Sequence, residues 1–135
     1  MSAKKGFITG MTGVYLVAAE LSKQGIIATI TSRNAPGVDI IASTPNLKRV
    51  FSIQVKTNSK NASFWLLNEH AKETYSPNFV YVFVNLRDGG ADFYIVPSKK
   101  VSRAMYVGKA KTGKKQVWYS YQRKKEDKDR WNLLT

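Results

Sequence analysis

Residues 38–57 read VDIIASTPNLKRVFSIQVKT. Val38 to Ser43 is rich in β-branched residues and predicts a strand, with Asp39 near its start. Pro45 and Asn46 mark a turn, and Arg49 to Thr57 predicts the longest strand in the first half of the chain. Successive strand side chains alternate, so Phe51, Ile53 and Val55 take one face while Val50, Ser52, Gln54 and Lys56 take the other. If the two strands are neighbours, Asp39, Gln54 and Lys56 converge.

Upstream, Thr12 is placed to cap a helix running from about Gly13 to Gln24. Val14, Val17, Ala18 and Leu21 form its apolar stripe, and Gly25 stops it. Ile26 to Thr31 predicts a strand, and residues 32–37 (SRNAPG) a turn. Downstream, Asn58 to Ala62 is a polar connection, and Phe64 to Lys72 holds either a short helix or an irregular packed loop. Phe79 to Leu86 and Phe93 to Val96 flank Arg87-Asp88-Gly89-Gly90, a strong hairpin signal. Ser98 is placed to cap a helix through Met105. The order helix, three strands, variable segment, two strands, helix predicts an α/β fold with helices flanking a central mixed β-sheet. No linker or internal repeat interrupts it, so residues 1–135 read as a single domain that includes the basic stretch from Lys109 onward.

Twenty-two Lys and Arg against nine Asp and Glu give a formal charge of +13, which concentrates polyanions near the surface. Nucleic acid is the first candidate partner, because neutralising a phosphate backbone releases counterions. A high-pI protein with a ribosomal or membrane-surface role fits the charge alone equally well. Cysteine is absent and His70 is the single histidine, which excludes disulfides, thiolate sites and His-rich zinc sites. Any metal must therefore be held by oxygen. The apolar run from Gly6 to Ala19 follows Lys4 and Lys5, but glycines and threonines dilute it and Glu20 closes it without a cleavage site. It reads as a loop followed by a core helix in a cytoplasmic protein, with no membrane partner.

A metal-dependent phosphodiesterase needs hard oxygen ligands for a divalent cation and a positive group to offset charge on the phosphate. Asp39 supplies the carboxylate, the Gln54 amide a weaker ligand, the backbone carbonyl of Val55 an extra one, and Lys56 the positive group. Asp39 followed fifteen positions later by Gln54-Val55-Lys56 resembles the PD-(D/E)XK nuclease superfamily in its variant with glutamine at the middle acidic position. That superfamily includes restriction endonucleases and archaeal Holliday-junction resolvases. The likeness covers roughly Gly13 to Asn58. It implies a restriction-endonuclease-like fold, dependence on Mg2+ or Mn2+, and a nucleic-acid substrate, DNA rather than RNA.

Gln54 is neutral where many members of that superfamily carry glutamate, and Glu20 is the candidate to replace the missing charge. In resolvase-like members the helix glutamate falls nearer Val14 or Tyr15, so Glu20 equally fits a solvated residue paired with Lys23 or Gln24. Arg33 and Asn34 are placed to touch a phosphate near the scissile bond, or form an ordinary polar turn. Lys109, Lys111, Lys114, Lys115, Arg123 and Lys124 are expected to track a phosphate backbone. Trp118, Tyr119 and Tyr121 either stack on bases or, the preferred reading, pack into the core along an edge strand. So small a chain has room for one site, and cutting both strands calls for a homodimer. The competing expectation is a binding module that keeps the nuclease fold without catalysis.

Overall fold

The structure is a computed structural model that describes residues 2–32, 36–120 and 125–135. Helix α1 spans Ser2–Lys23. It starts well before the predicted Gly13, and Thr12 is not its cap: the Thr12 hydroxyl donates to the Ile8 carbonyl at 2.9 Å, a bond made inside a helix. The stripe from Val14 through Val17 to Leu21 is buried, whereas Lys4 to Ile8 are exposed, so the first turns carry no core-facing pattern in the sequence. The C-terminus follows expectation. Gly25 has φ +81°, the Gly25 N–H donates to Ser22 and the Ile26 N–H to Leu21, and Ile26 and Leu21 are both buried.

Strands β1 (Ile27–Ile30), β2 (Ile40–Ser43) and β3 (Val50–Asn58) form an antiparallel meander. Strand β4 (Phe64–Leu67) and a 3-10 turn at Glu69–Lys72 resolve the ambiguous segment. Strand β5 (Phe79–Arg87) then pairs parallel to β3, and β6 (Gly90–Pro97) returns antiparallel through Asp88 and Gly89, the latter at φ +76°. The result is a five-stranded mixed sheet of order β1-β2-β3-β5-β6. Helix α2 (Ser98–Ala104) follows, but Ser98 does not cap it. The buried Ser98 hydroxyl instead donates to the Ser76 carbonyl and accepts from the Ser76 N–H, both at 3.0 Å. Strands β7 (Tyr106–Lys109) and β8 (Lys115–Ser120) join β4 in a second, antiparallel sheet of order β4-β8-β7. Strand β8 is thus central in its sheet, where an edge strand was expected.

The mixed sheet is α/β as predicted, but its two faces are covered differently. On one face α1 lays Val14, Val17 and Leu21 on Ile40, Ile53, Val82 and Ile95. The other face is aromatic: Trp65, Tyr81, Phe83, Tyr94 and Tyr119 pack together between the two sheets, with Val101 of α2 beside them. Strand β5 is buried on both sides, which explains its unbroken apolar run. Lys100 clamps the edge of this layer. Its ammonium lies 2.6 Å from the buried Asp127 and 3.0 Å from Glu126, and Tyr119 donates to Asp127 at 3.0 Å. No helix among the described residues is long and apolar enough to cross a membrane.

Candidate functional site

Asp39 lies one residue before β2, where the meander opens. Its N–H donates to Ile53 at 2.8 Å and its carbonyl accepts from Thr31 at 3.0 Å, so its backbone is pinned by both neighbouring strands. Upstream, Gly37 at φ +72° turns the chain away from β3. No backbone carbonyl follows to meet Val55, and the Asp39 carboxylate takes that place: Oδ2 accepts from the Val55 N–H at 2.8 Å. In an antiparallel ladder a residue presents its N–H and C=O to the same neighbour. The Val55 carbonyl therefore faces the gap that the Asp39 side chain occupies. The second carboxylate oxygen receives no hydrogen bond from the described residues.

Lys56 is the next residue along β3 and is half-buried. Burial strips water from its ammonium and lowers its pKa below the ordinary lysine value, while the Asp39 charge pulls partly the other way. It has no hydrogen-bond or ion-pair partner among the described residues. A desolvated cation beside one carboxylate is a strong receptor for a further anion, because an arriving negative charge restores what burial removed.

Gln54 shares the Lys56 face of β3, opposite Tyr81 in the register. It opens onto a cavity of about 500 Å³ walled by Pro36, Asn68, His70, Tyr75, Asn78 and Tyr81. Burial pushes the Tyr81 phenol up to about 12, so it stays a neutral hydroxyl. Asp39 lines a separate recess of about 70 Å³, roofed by Met11 and Val14 of α1. Gln54 and Asp39 therefore open onto different recesses. The Asp39 carboxylate is brought to the Val55 N–H and its charge acts on Lys56, while Gln54 and Lys56 leave β3 on the face opposite Val55.

Glu20 is not brought to this cluster. It pairs with Lys23 at 3.3 Å, and it lies six residues beyond Val14, about 9 Å further along the helix axis. The described residues hold no group of three or more His, Asp or Glu that could bind a metal. Arg33, Asn34, Arg123 and Lys124, as well as Tyr121, lie outside the described residues. Lys109, Lys111, Lys114 and Lys115 all sit on the β7–β8 hairpin, away from the Asp39 gap in sequence and sheet. Of the tail aromatics, Tyr119 is fully buried as expected, whereas Trp118 stacks on Tyr106. The cavity residues around Gln54 were missed because loops assemble them. The polar density of Asn68, His70, Ser76 and Asn78 was the available signal.

No protein-family model, curated protein or solved structure matches this chain.

Proposed function

We propose that the chain is a Mg2+-dependent nucleic-acid phosphodiesterase with a restriction-endonuclease-like fold and its reacting centre at Asp39, Val55 and Lys56. The observation that carries this reading is the Asp39 carboxylate anchored on the Val55 N–H, with its charge acting on the half-buried Lys56, which has no hydrogen-bond or ion-pair partner among the described residues. The chain order supports it too: a helix, then a meander whose second and third strands bring Asp39 to the Gln54-Val55-Lys56 run, then a strand parallel to the third.

The donor set suits magnesium, which binds through one or two carboxylates, keeps several waters and takes further oxygens from substrate phosphate. The free Asp39 oxygen and the Val55 carbonyl would hold the cation, with the Gln54 amide the third candidate. When bound, the cation supplies Lewis-acid charge at the scissile phosphate. Lys56 donates to a phosphoryl oxygen and offsets the charge that grows there. The Val55 N–H fixes the carboxylate so that it does not reorganise during the reaction. The cavity beside Gln54 leaves room for a nucleotide next to that phosphate. DNA is the proposed substrate, on the resemblance, and a double-strand cut would require two copies of the chain.

The test is nicking of supercoiled DNA with and without Mg2+. Asp39→Asn keeps an acceptor for the Val55 N–H while removing the charge, and Lys56→Ala removes the cation. Each is expected to slow cutting by about 100-fold or more, with DNA binding in EDTA retained. Cutting by Lys56→Ala at the unsubstituted rate defeats the assignment.

One observation favours a second reading, a nucleic-acid-binding module without catalysis: Asp39 is the sole carboxylate at the gap, since Glu20 is engaged elsewhere. Salt-sensitive binding with no cleavage in Mg2+ or Mn2+ would establish it.

A further inference from the structure

The outer face of the small sheet carries aromatic and aliphatic side chains in register. Leu66 of β4 lies opposite Trp118 of β8, which lies opposite Tyr106 of β7. Leu66 and Tyr106 are 52% and 45% exposed, and Phe64 one pleat away is 45% exposed, although an isolated sheet face in water is normally polar. The Tyr106 and Trp118 rings run nearly parallel, with centroids 5.8 Å apart and planes 16° apart. Gly108 explains how Trp118 lies. A Cβ added there would sit 2.9 Å from Trp118 Cη2, so the missing side chain lets the indole lie across β7.

The same hairpin is basic and has no acidic counterweight. Lys111 and Lys114 occupy the turn at its tip, and Lys109 and Lys115 are cross-strand partners three positions from Tyr106 and Trp118, so by strand alternation their side chains leave the other side of the sheet. Like charges placed directly opposite each other destabilise a sheet. No carboxylate of the described residues lies within ion-pair distance of any of the four. An external polyanion relieves such repulsion.

We infer that this face is a platform for single-stranded nucleic acid: unpaired bases stack on the Tyr106 and Trp118 rings while Lys111 and Lys114 at the hairpin tip take the backbone phosphates. Aromatic faces accept any base, and lysines on a hairpin follow a backbone without reading its sequence. A duplex hides its base faces and offers only phosphates. A second copy of this chain is disfavoured on this face, because it would bring two chains of charge +13 together with their lysine-bearing hairpin tips. The inference rests on the nucleic-acid half of the function proposed above and names its substrate class as unpaired strand. It does not depend on the metal gap.

Trp65 and Trp131 are buried, which leaves Trp118 as the tryptophan able to report contact. The intact chain is titrated at low salt in EDTA with a dT20 oligonucleotide and with a 20-base-pair duplex, reading tryptophan emission and the anisotropy of a labelled strand. The expected result is quenching by dT20 and preferential binding of the single strand. Trp118→Phe should abolish the quenching with affinity kept within about twofold. Trp118→Ala and Tyr106→Ala should each weaken dT20 binding by about 10- to 100-fold and leave duplex binding unchanged. Circular dichroism checks that each variant is folded. Changing Lys111 and Lys114 to Gln should weaken both forms and flatten the salt dependence. Equal affinity for single strand and duplex with no effect of Trp118→Ala overturns the inference. So does loss of self-association, or of binding to anionic vesicles, as the sole consequence of Trp118→Ala. Should Lys56→Ala cut normally while this pattern holds, the metal site fails and the platform stands.

Discussion

At Gly13 helix α1 packs tightly against Thr57 of the mixed sheet, and adding one methyl there tests the packing of α1 on the strand that carries Val55 and Lys56. A Cβ on residue 13 would sit 1.8 Å from Thr57 Oγ1, 2.9 Å from its Cβ and 3.0 Å from its Cγ2. Rotating Thr57 can relieve the Oγ1 contact but not the one at 2.9 Å, because its Cβ cannot move without the strand. The helix must therefore lift, loosening Val14 and Val17 from Ile53 and Val55 and shifting the roof of the Asp39 recess. In an exposed helix Gly→Ala stabilises by about 1 kcal/mol, whereas overpacking a tight core costs about 1–3 kcal/mol or more. The overlap here is at the severe end, so Gly13→Ala should lose about 2 kcal/mol net. For a domain of this size that lowers Tm by about 8 °C. In a Thr57→Ala background the hydroxyl and methyl are gone, and most of the loss should disappear, giving a coupling of about 1–2 kcal/mol in a double-mutant cycle. Urea titrations of the four proteins measure it. Additivity within about 0.3 kcal/mol, or a stabilised Gly13→Ala, would refute the close approach.

Other outcomes follow from the same structure. Thr57 Oγ1 is buried without a partner, so Thr57→Val should raise stability by about 1 kcal/mol in urea unfolding. Lys56 has its folded pKa depressed by burial, so its charge works against folding below that value, and the penalty lifts as pH rises through it toward the unfolded 10.5. Lys56→Met should therefore raise Tm at neutral pH by an amount that shrinks as pH climbs toward 10, and an unchanging difference would refute this. At Lys100 burial also opposes the charge, but hydrogen bonds to Asp127 and Glu126 outweigh it and raise the pKa. Its contribution is full below 10.5 and is lost above. Asp127→Ala leaves Lys100 with Glu126 alone and strands the buried Tyr119 hydroxyl, and should cost about 2 kcal/mol, with Asp127→Asn costing less because it still accepts from Tyr119.

What was legible in the sequence was local. Gly25 ends α1 through backbone bonds made within six residues, and Asp88-Gly89 turns β5 into β6 by its own dihedral preferences. The alternation of Phe51, Ile53 and Val55 reads directly as the face under α1. The first turns of α1 were not legible, because exposed residues and Gly6 and Gly10 carry no period. The second sheet was missed for a different reason. Phe64 pairs with Ser120, more than fifty residues away, and β4 is four residues long, so no local pattern announces the partnership. At the site, Asp39 and Lys56 were legible once strand adjacency was assumed. Gln54 opening onto a cavity separate from the Asp39 recess was not, because loop residues far apart in sequence assemble that cavity. Glu20 was placed by need of charge, and its Lys23 pair was available from i, i+3 spacing alone.

A manganese soak of crystals, read by anomalous scattering, tests whether the Asp39 gap holds a divalent cation. The expected result is a peak between the free Asp39 oxygen and the Val55 carbonyl, at about 2.2 Å from each, that vanishes in Asp39→Asn. No peak there at saturating Mn2+ with a DNA strand bound, or a peak only at some other carboxylate, would contradict it.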